Sequence, residues 1–317
     1  MALIEHGSVR LTSGRALPTT TWLAGRAPTA LLLALHSYGD YRLAYAEIGP
    51  WLAERGVTVC ALDQPGFGET AEHGDWPGWR PLLRDVAEAM VRIRQRADRP
   101  VFILGESLGG GVAMAAMRLP GMFLPAGLVL VEPAVRKGVR LRLVWDLVFG
   151  GLALVRPRVS RRLVRGRHPQ LTDAARRRLA EDPLVVRHIR ADAYNGLLAI
   201  GDAASAAARQ LTVPTLFLYG RADGIIPARL FERAERDLGH VATTIRYPDA
   251  PHLILQARGW EAVMADVLAW MQGRHPPLPG SPGILCRRGP RPLAPAEAGA
   301  ARATASAVPL GEPGPAR

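Results

Sequence analysis

Short apolar runs separated by helical segments recur along most of the chain. Several of the runs are near-continuous rather than alternating, which is typical of parallel strands covered on both faces. They lie at 30–35, 57–62, 101–104, 128–131, 215–219 and 243–247. Helical spacing predicts helices between them at 41–55, 81–97, 108–119, 227–238 and 260–271. Two short antiparallel strands are expected before residue 25. This alternation predicts an α/β fold with a mostly parallel, doubly wound sheet.

One long interval, 134–210, interrupts the alternation, with several helical patterns and no convincing strand. An insertion at this point lies over the carboxyl ends of the strands, where open α/β sheets place their ligand crevice. We therefore predict a core built from 1–133 and 211–272 and a helical cap, or lid, over 134–210. The tail over 273–317 is rich in Pro, Gly, Ala and Arg without apolar periodicity, so we expect it to be disordered.

A serine stands between the apolar run at 101–104 and a helix of small residues. Residues 105–109 read GESLG. Glycines on both sides remove the Cβ atoms that would clash in a sharp strand-to-helix turn, which pushes the serine hydroxyl clear of the backbone. The segment 105–109, hereafter the nucleophile elbow, predicts Ser107 as a catalytic nucleophile.

A nucleophilic serine needs a histidine to take its proton and a carboxylate to hold that histidine. Asp223 follows the predicted strand at 215–219, and His252 follows the one at 243–247, so both lie at the carboxyl edge of the sheet. The plainer alternatives are a turn or N-cap aspartate and a surface histidine. Asp249 is a rival acid, but it lies in the loop of the histidine itself. The order Ser107, Asp223, His252 favours these three as a triad.

The oxyanion of such a reaction needs two backbone N–H donors. One is expected from Leu108, directly after the nucleophile. The other is expected from the loop after the strand at 30–35, where we choose Tyr38. His36 comes too early in the chain order to be the base, so we interpret it as a residue that braces this loop. Residues 63–68 (DQPGFG) predict a tight turn near the site.

Together these motifs resemble the α/β-hydrolase superfamily, and more narrowly its bacterial lysophospholipase and monoacylglycerol lipase-like (serine aminopeptidase-like) branch. The resemblance covers roughly residues 20–272, and 181–187 (EDPLVVR) is similar to the end of that branch's cap. The loop expected to supply the second oxyanion donor, residues 36–40, is hereafter the oxyanion loop. In this branch it usually carries a His-Gly pair, and Ser37 stands in the place of that glycine. The resemblance implies an α/β-hydrolase fold and ester hydrolysis.

Charge changes the choice of partners rather than the fold. The chain has a net charge of +12, carried almost entirely by arginine, with Lys137 as its one lysine. No nucleic-acid-binding signature accompanies the charge, so we expect no nucleic-acid partner. The apolar segment 141–155 is flanked by arginines, which predicts a basic cap helix that contacts an anionic membrane peripherally. The alternative is a cap helix packed on the core with solvated arginines.

Cysteine count and hydropathy bear on the compartment. Cys60 lies in an apolar run and is predicted to be a core thiol. The chain has two cysteines, Cys60 and Cys286, and these do not make a disulfide framework. We see no signal peptide and no membrane-spanning stretch. A cytoplasmic protein is therefore expected, in contact at most with the inner face of the membrane.

These expectations combine into one function. We predict a serine hydrolase of carboxylic esters, with a lysophospholipid or monoacylglycerol as substrate and no metal or organic cofactor. A small-ester hydrolase or a serine aminopeptidase on the same fold is the alternative, and a non-catalytic binding protein of this fold is the alternative from another class. Dehalogenase and epoxide hydrolase chemistry is disfavoured because those relatives carry an aspartate where Ser107 stands. The sequence leaves the oligomeric state open.

Overall fold

The computed structural model describes residues 2–25, 27–136, 148, 151–152, 154–163 and 165–274. Cys286, the predicted tail after residue 274 and most of the predicted cap helix over 141–155 lie outside the described residues. The predicted division into core, cap and tail therefore stays a prediction.

An eight-stranded sheet forms the centre of the described part of the molecule. Its strands are β1 (Leu3–Arg10), β2 (Ala16–Leu23), β3 (Ala30–Leu35), β4 (Val57–Leu62), β5 (Val101–Glu106), β6 (Gly127–Val131), β9 (Thr215–Gly220) and β10 (Ala242–Tyr247). Their spatial order is β1-β2-β4-β3-β5-β6-β9-β10, with the first two pairings antiparallel and all the others parallel. The predicted doubly wound, mostly parallel sheet is confirmed.

Helices cover both faces of this sheet. The helices are α1 (Ile48–Ala53), α2 (Trp79–Gln95), α3 (Leu108–Ala116), α4 (Asp173–Glu181), α5 (Ala191–Ala208), α6 (Ala228–Leu238) and α7 (Trp260–Met271). Of these, α4 packs against the loop that carries Tyr41 rather than on the sheet. Within β3, Leu33 and Leu35 pack with α2 and α3, whereas Leu32 and Ala34 pack with α1 and α7 on the other face. Since neighbouring side chains of a strand point to opposite faces, a strand covered on both faces must be apolar throughout.

Two predicted elements differ from the structure. The helix expected over 41–55 is a 3-10 turn (Arg42–Tyr45) followed by the short helix α1. One reason is Pro50, whose ring and missing N–H are tolerated in the first turn of α1 but not in the interior of one long helix. The prediction of no strand within 134–210 is also wrong. Strands β7 (Ser160–Arg162) and β8 (His188–Arg190) form a two-stranded antiparallel sheet. They are three residues long and polar, so they leave no apolar alternation to detect.

The carboxyl ends of the parallel strands meet at one edge of the sheet. The loops that leave this edge after β3, β5, β6, β9 and β10 carry every candidate site residue. Within β4, Cys60 is a buried free thiol, as predicted. Across the described ranges, no helix combines the length and the apolar character needed to cross a membrane.

Candidate active site

Ser107 occupies a strained turn between β5 and α3. Its φ of 53° and ψ of −111° lie in a region that residues with a Cβ rarely adopt. The surrounding backbone holds this conformation, since the Ser107 N–H donates to the Val131 carbonyl at 2.9 Å. A Cβ on Gly105 or Gly109 would collide with a backbone carbonyl. The nucleophile elbow therefore depends on these two glycines sterically, as the motif predicts.

The structure brings Ser107, Asp223 and His252 together. The Nδ1 of His252 lies 2.8 Å from Asp223 Oδ2, and its Nε2 lies 3.0 Å from Ser107 Oγ. With the proton on Nδ1, the imidazole donates to Asp223 and accepts from the serine hydroxyl. The Asp223 side chain is 1% exposed and that of His252 is 12% exposed. This is the geometry a serine needs to lose its proton as it attacks.

Asp223 performs two structural tasks with its two oxygens. Oδ1 accepts from the N–H groups of Ile225 and Ile226 at 2.7 and 3.0 Å, which closes the turn after β9. Oδ2 is thereby left aimed at His252. The turn role and the histidine-orienting role thus coexist in one side chain. The rival Asp249 is exposed in its turn, and its carbonyl accepts from the Gln170 amide.

The predicted oxyanion donors lie on adjacent loops. Leu108 is the first residue of α3, so its N–H has no acceptor within its own helix. Tyr38 lies in the loop after β3, and β3 pairs with β5 so that Leu35 is opposite Gly105. Positive φ is supplied by Gly39, at 73°, whereas Ser37 has no positive φ. The serine that departs from the family pattern is therefore accommodated without backbone strain.

His36 ties the oxyanion loop to the neighbouring turn over 63–68. Its Nδ1 donates to the Ser37 carbonyl at 2.8 Å, and its Nε2 accepts from the Gln64 N–H at 3.0 Å. Burial lowers the pKa of His36, which keeps the ring neutral and able to accept. His36 has the bracing position expected for it and does not contact Ser107 in the way His252 does.

Residues between β7 and β8 clamp the oxyanion loop from the cap side. The Arg165 guanidinium donates to the Tyr38 carbonyl, and the Val186 N–H donates to the Gly39 carbonyl at 2.8 Å. Arg178 of α4 donates to both carboxylate oxygens of Asp40, which is fully buried. Three successive residues of the loop are thus held by the segment predicted to form the cap.

Two buried glutamates beside the triad escaped the sequence prediction. Glu106 is 1% exposed and accepts from the Leu255 N–H at 3.2 Å, whereas Glu132 is fully buried directly after β6. Burial raises the pKa of Glu106 to about 7 and that of Glu132 to about 8. Glu132 could have been noticed, because it follows a strand at the same edge as Asp223 and His252. That Glu132 lies close to His252 in space cannot be predicted from the sequence.

His252 is electrostatically coupled to these carboxylates. Burial alone would lower its pKa, but the hydrogen bond to Asp223 and the charges of Asp223, Glu132 and Glu106 raise it to about 9. Such groups titrate as a set, so a proton on either glutamate removes its negative charge and reduces the rise in the pKa of His252. The direction of the shift is set mainly by Asp223, the nearest partner.

The same cluster has the donor types of a metal site. Glu132, Asp223 and His252 offer ligand atoms within 4.8 Å of one another. A metal ion there would take the Nδ1 lone pair and break the hydrogen bond between Asp223 and His252. Since that hydrogen bond and the contact to Ser107 form one continuous chain, the arrangement fits proton transfer better than metal binding.

Comparisons with known proteins agree with this fold. A family model described as "Serine aminopeptidase, S33" matches residues 26–258. The monoacylglycerol lipase of Mycolicibacterium smegmatis is 27% identical over 274 residues, which are 79% of this chain and 90% of that protein. A Schizosaccharomyces pombe relative is 26% identical over 62% of this chain, and the chain spans about half of that protein's length (54%).

Among solved structures, a soluble variant of the Saccharomyces cerevisiae monoglyceride lipase in complex with a substrate analogue superposes with a TM-score of 0.70. It is 18% identical and covers 86% of this chain and 96% of its own. At that identity the superposition shows the fold alone, which is that of an α/β-hydrolase. The family match extends over most of the chain. The chain therefore belongs to the serine aminopeptidase family of α/β-hydrolases and is similar to the monoacylglycerol lipases within that fold.

Proposed function

We propose that the protein is a serine hydrolase of carboxylic esters that works through an acyl-enzyme on Ser107. The observation that carries this proposal is the continuous chain of contacts from Asp223 through His252 to Ser107, at 2.8 and 3.0 Å. It lies at the carboxyl edge of the sheet, where folds of this type place their ligands.

In the proposed mechanism, Ser107 Oγ attacks the ester carbonyl while His252 Nε2 takes its proton. Asp223 holds the Nδ1–H of the ring and stabilises the imidazolium that forms. The N–H groups of Tyr38 and Leu108 donate to the developing oxyanion. His252 then returns the proton to the leaving alcohol, and water activated by the same ring releases the acid. No step in this scheme calls for a cofactor.

The substrate we propose is a monoacylglycerol or a lysophospholipid. Support comes from the Mycolicibacterium smegmatis relative, which is named a monoacylglycerol lipase and of which this chain spans 90%. A small-ester hydrolase or a serine aminopeptidase remains the alternative on this fold, since the family is described by the latter activity. Rates on a monoacylglycerol, lysophosphatidylcholine, short p-nitrophenyl esters and an aminoacyl amide would separate these classes.

We also propose a peripheral contact with anionic membrane through the cap. In its described part, the segment around 148–162 exposes apolar and cationic side chains side by side. The apolar ones are Val148, Leu154, Val155 and Val159, of which Leu154 is 87% exposed and Val155 is 76% exposed. Exposed arginines accompany them at 156, 158, 161 and 162. This combination is what an interfacial segment uses to lie on a lipid surface.

The central test is Ser107→Ala. Because the hydroxyl is the proposed nucleophile, we expect ester hydrolysis to fall by at least about 10⁴-fold. Labelling by a fluorophosphonate probe should disappear, while the thermal unfolding midpoint is retained. Ser8→Ala, at an exposed position on the edge strand β1, is the matched control and should behave as the wild type. Retained hydrolysis or labelling in Ser107→Ala would contradict the mechanism, and absence of labelling in the wild type would favour a non-catalytic binding protein.

A further inference from the structure

Glu132 is held in an unusual conformation directly after β6. Its φ of 46° is left-handed, which costs free energy for a residue with a Cβ. A hydrogen bond from its N–H to the Leu218 carbonyl at 2.8 Å ties it to the neighbouring strand β9. Its side chain is fully buried. A strained backbone combined with a buried acidic side chain beside a reactive cluster calls for a functional reason.

The Glu132 carboxylate bridges the two loops that carry the proposed acid and base. Oε1 accepts from the Gly220 N–H at 3.1 Å, just before the turn of Asp223. Oε2 accepts from the Ile254 N–H at 3.4 Å, just after His252. A Cβ at position 220 would collide first with the Ala250 carbonyl and would also lie 2.9 Å from Oε1, so the absence of a side chain there leaves room for both groups.

The same Oε2 atom lies 3.8 Å from His252 Nδ1, only 1.0 Å farther than Asp223 Oδ2 (3.8 − 2.8 Å). Three titratable groups face Glu132: His252 in the loop after β10, Asp223 in the loop after β9, and Glu106 at the end of β5. Across the described residues, His252 is the basic side chain within ion-pair distance of Glu132. Within the described part of the chain, the carboxylate is therefore placed to interact with the imidazole ring and with no competing cation.

We propose that Glu132 is a second carboxylate for His252, a positioning residue that supports the imidazole beside Asp223 and accepts its Nδ1–H when Asp223 cannot. This inference rests on the proposed function of the triad. A small rotation of the ring would bring Nδ1 within hydrogen-bond distance of Oε2. When His252 takes the serine proton, an ionised Glu132 adds a negative charge close to the imidazolium. The proton on Nδ1 stays on the ring throughout.

The test is a double-mutant cycle of Asp223→Asn and Glu132→Gln, read as kcat/KM on a short p-nitrophenyl ester. In a triad with one carboxylate, the aspartate-to-asparagine change costs about 10⁴-fold in kcat. Here we expect Asp223→Asn to lower kcat/KM only about 10²-fold. The double variant with Glu132→Gln should lower it by the full factor of about 10⁴. Glu132→Gln in the wild type should cost less than about fivefold, because Asp223 is still present.

Glu106→Gln is the matched control for burial. Glu106 is also buried and its charge also acts on His252, but its carboxylate hydrogen-bonds to Leu255 and Gln256 and makes no ion-pair contact with the ring. Its substitution should change kcat/KM by the same factor in the wild type and in Asp223→Asn. A loss of about 10⁴-fold in Asp223→Asn alone, with no further effect of Glu132→Gln, would overturn the proposal.

Two further measurements distinguish a positioning role of Glu132 from a purely structural one. In Asp223→Asn, residual activity should rise with pH more than it does in the double variant, where only His252 loses a proton. The added rise comes from ionisation of Glu132, since burial raises the pKa of this carboxyl to about 8. The far-downfield Nδ1–H proton resonance of His252 should persist in Asp223→Asn and vanish in the double variant. If Glu132→Gln fails to fold, Glu132→Asp, which keeps the charge on a shorter side chain, should give an intermediate result in both readings.

The outcomes distinguish this inference from the proposed function. If the wild type shows no hydrolysis and no fluorophosphonate labelling that depend on Ser107, the proposed function fails. If both are present but the cycle shows no coupling and no retained resonance, only the role of Glu132 fails.

Discussion

His252 is the residue whose protonation state controls the proposed reaction. It must be neutral to accept the serine proton, so kcat/KM should rise with pH as the ring loses its proton. Burial opposes the charge on the ring, but the hydrogen bond to Asp223 and the nearby carboxylates raise its pKa to about 9. We therefore expect the rising limb of the profile to have an apparent pKa above the ordinary value of 6.5.

The measurement is kcat/KM from pH 5 to about 10 on an ester without titratable groups. Below the apparent pKa, activity should fall about tenfold per pH unit, because one proton inactivates the base. Asp223→Asn should move the limb to lower pH, since the main interaction that raises the pKa is lost. A wild-type profile that is already flat at neutral pH would contradict this prediction.

At the scale of elements, the notable feature is how α4 and the segment before β8 hold the oxyanion loop. Arg178 of α4 pairs with the fully buried Asp40, and Gln256 donates to the same carboxylate at 3.0 Å. Burial alone would raise the pKa of Asp40, but Arg178 lowers it below its usual range. Gln256 also donates to Glu106, next to Ser107, at 3.2 Å. One polar network thus joins the cap side to the elbow.

Breaking this ion pair should affect both stability and catalysis. Arg178→Met leaves the charge of Asp40 buried without its partner, so we expect the free energy of unfolding to fall by about 3–5 kcal/mol. Adding Asp40→Asn removes the uncompensated charge and should recover part of that loss. In the double variant kcat should still be reduced, because the loop that carries the Tyr38 N–H has lost a support.

Urea denaturation and steady-state kinetics provide these measurements. Arg177→Met, at the neighbouring exposed position of α4, is the control and should change the free energy of unfolding by less than about 0.5 kcal/mol. Wild-type kcat in the folded double variant would show that the oxyanion loop does not depend on the cap side.

At the scale of the whole molecule, charge and exposed apolar surface bear on the proposed membrane contact. The net charge of +12 favours anionic surfaces, and each arginine near such a surface contributes about 1 kcal/mol. We expect the protein to bind phosphatidylglycerol vesicles more tightly than phosphatidylcholine vesicles, and less tightly as salt is added. Cosedimentation with the full chain measures both effects.

The variant Leu154→Ser/Val155→Ser should weaken vesicle binding at every salt concentration, because it removes the most exposed apolar pair among the described residues of the cap segment. Leu124→Ser is the control. Leu124 is 75% exposed but lies before the amino-terminal end of β6, whereas the site lies at the carboxyl ends of the strands. Its substitution should therefore leave binding unchanged. No binding would rule out the membrane contact, and salt-insensitive binding would rule out attraction between the arginines and anionic lipid.

The sequence by itself determined the elements that repeat a local pattern. Buried strands such as β3 and β4 are continuous apolar runs, and their predicted bounds are those observed. The glycines of the nucleophile elbow are dictated by sterics within a few residues, so Ser107 could be selected from the motif. Chain order and strand ends then selected Asp223 and His252, whose catalytic roles remain proposals.

Only the tertiary structure decided what depends on distance between remote segments. The polar strands β7 and β8 form because they pair with each other across 25 intervening residues, a contact that leaves no local pattern. The same holds for Glu132, which is 120 residues from His252 in the chain and 3.8 Å from it in space. Local patterns report which face of an element is buried, whereas the distances that set hydrogen bonds and pKa values arise only when the loops of five strands meet at one edge.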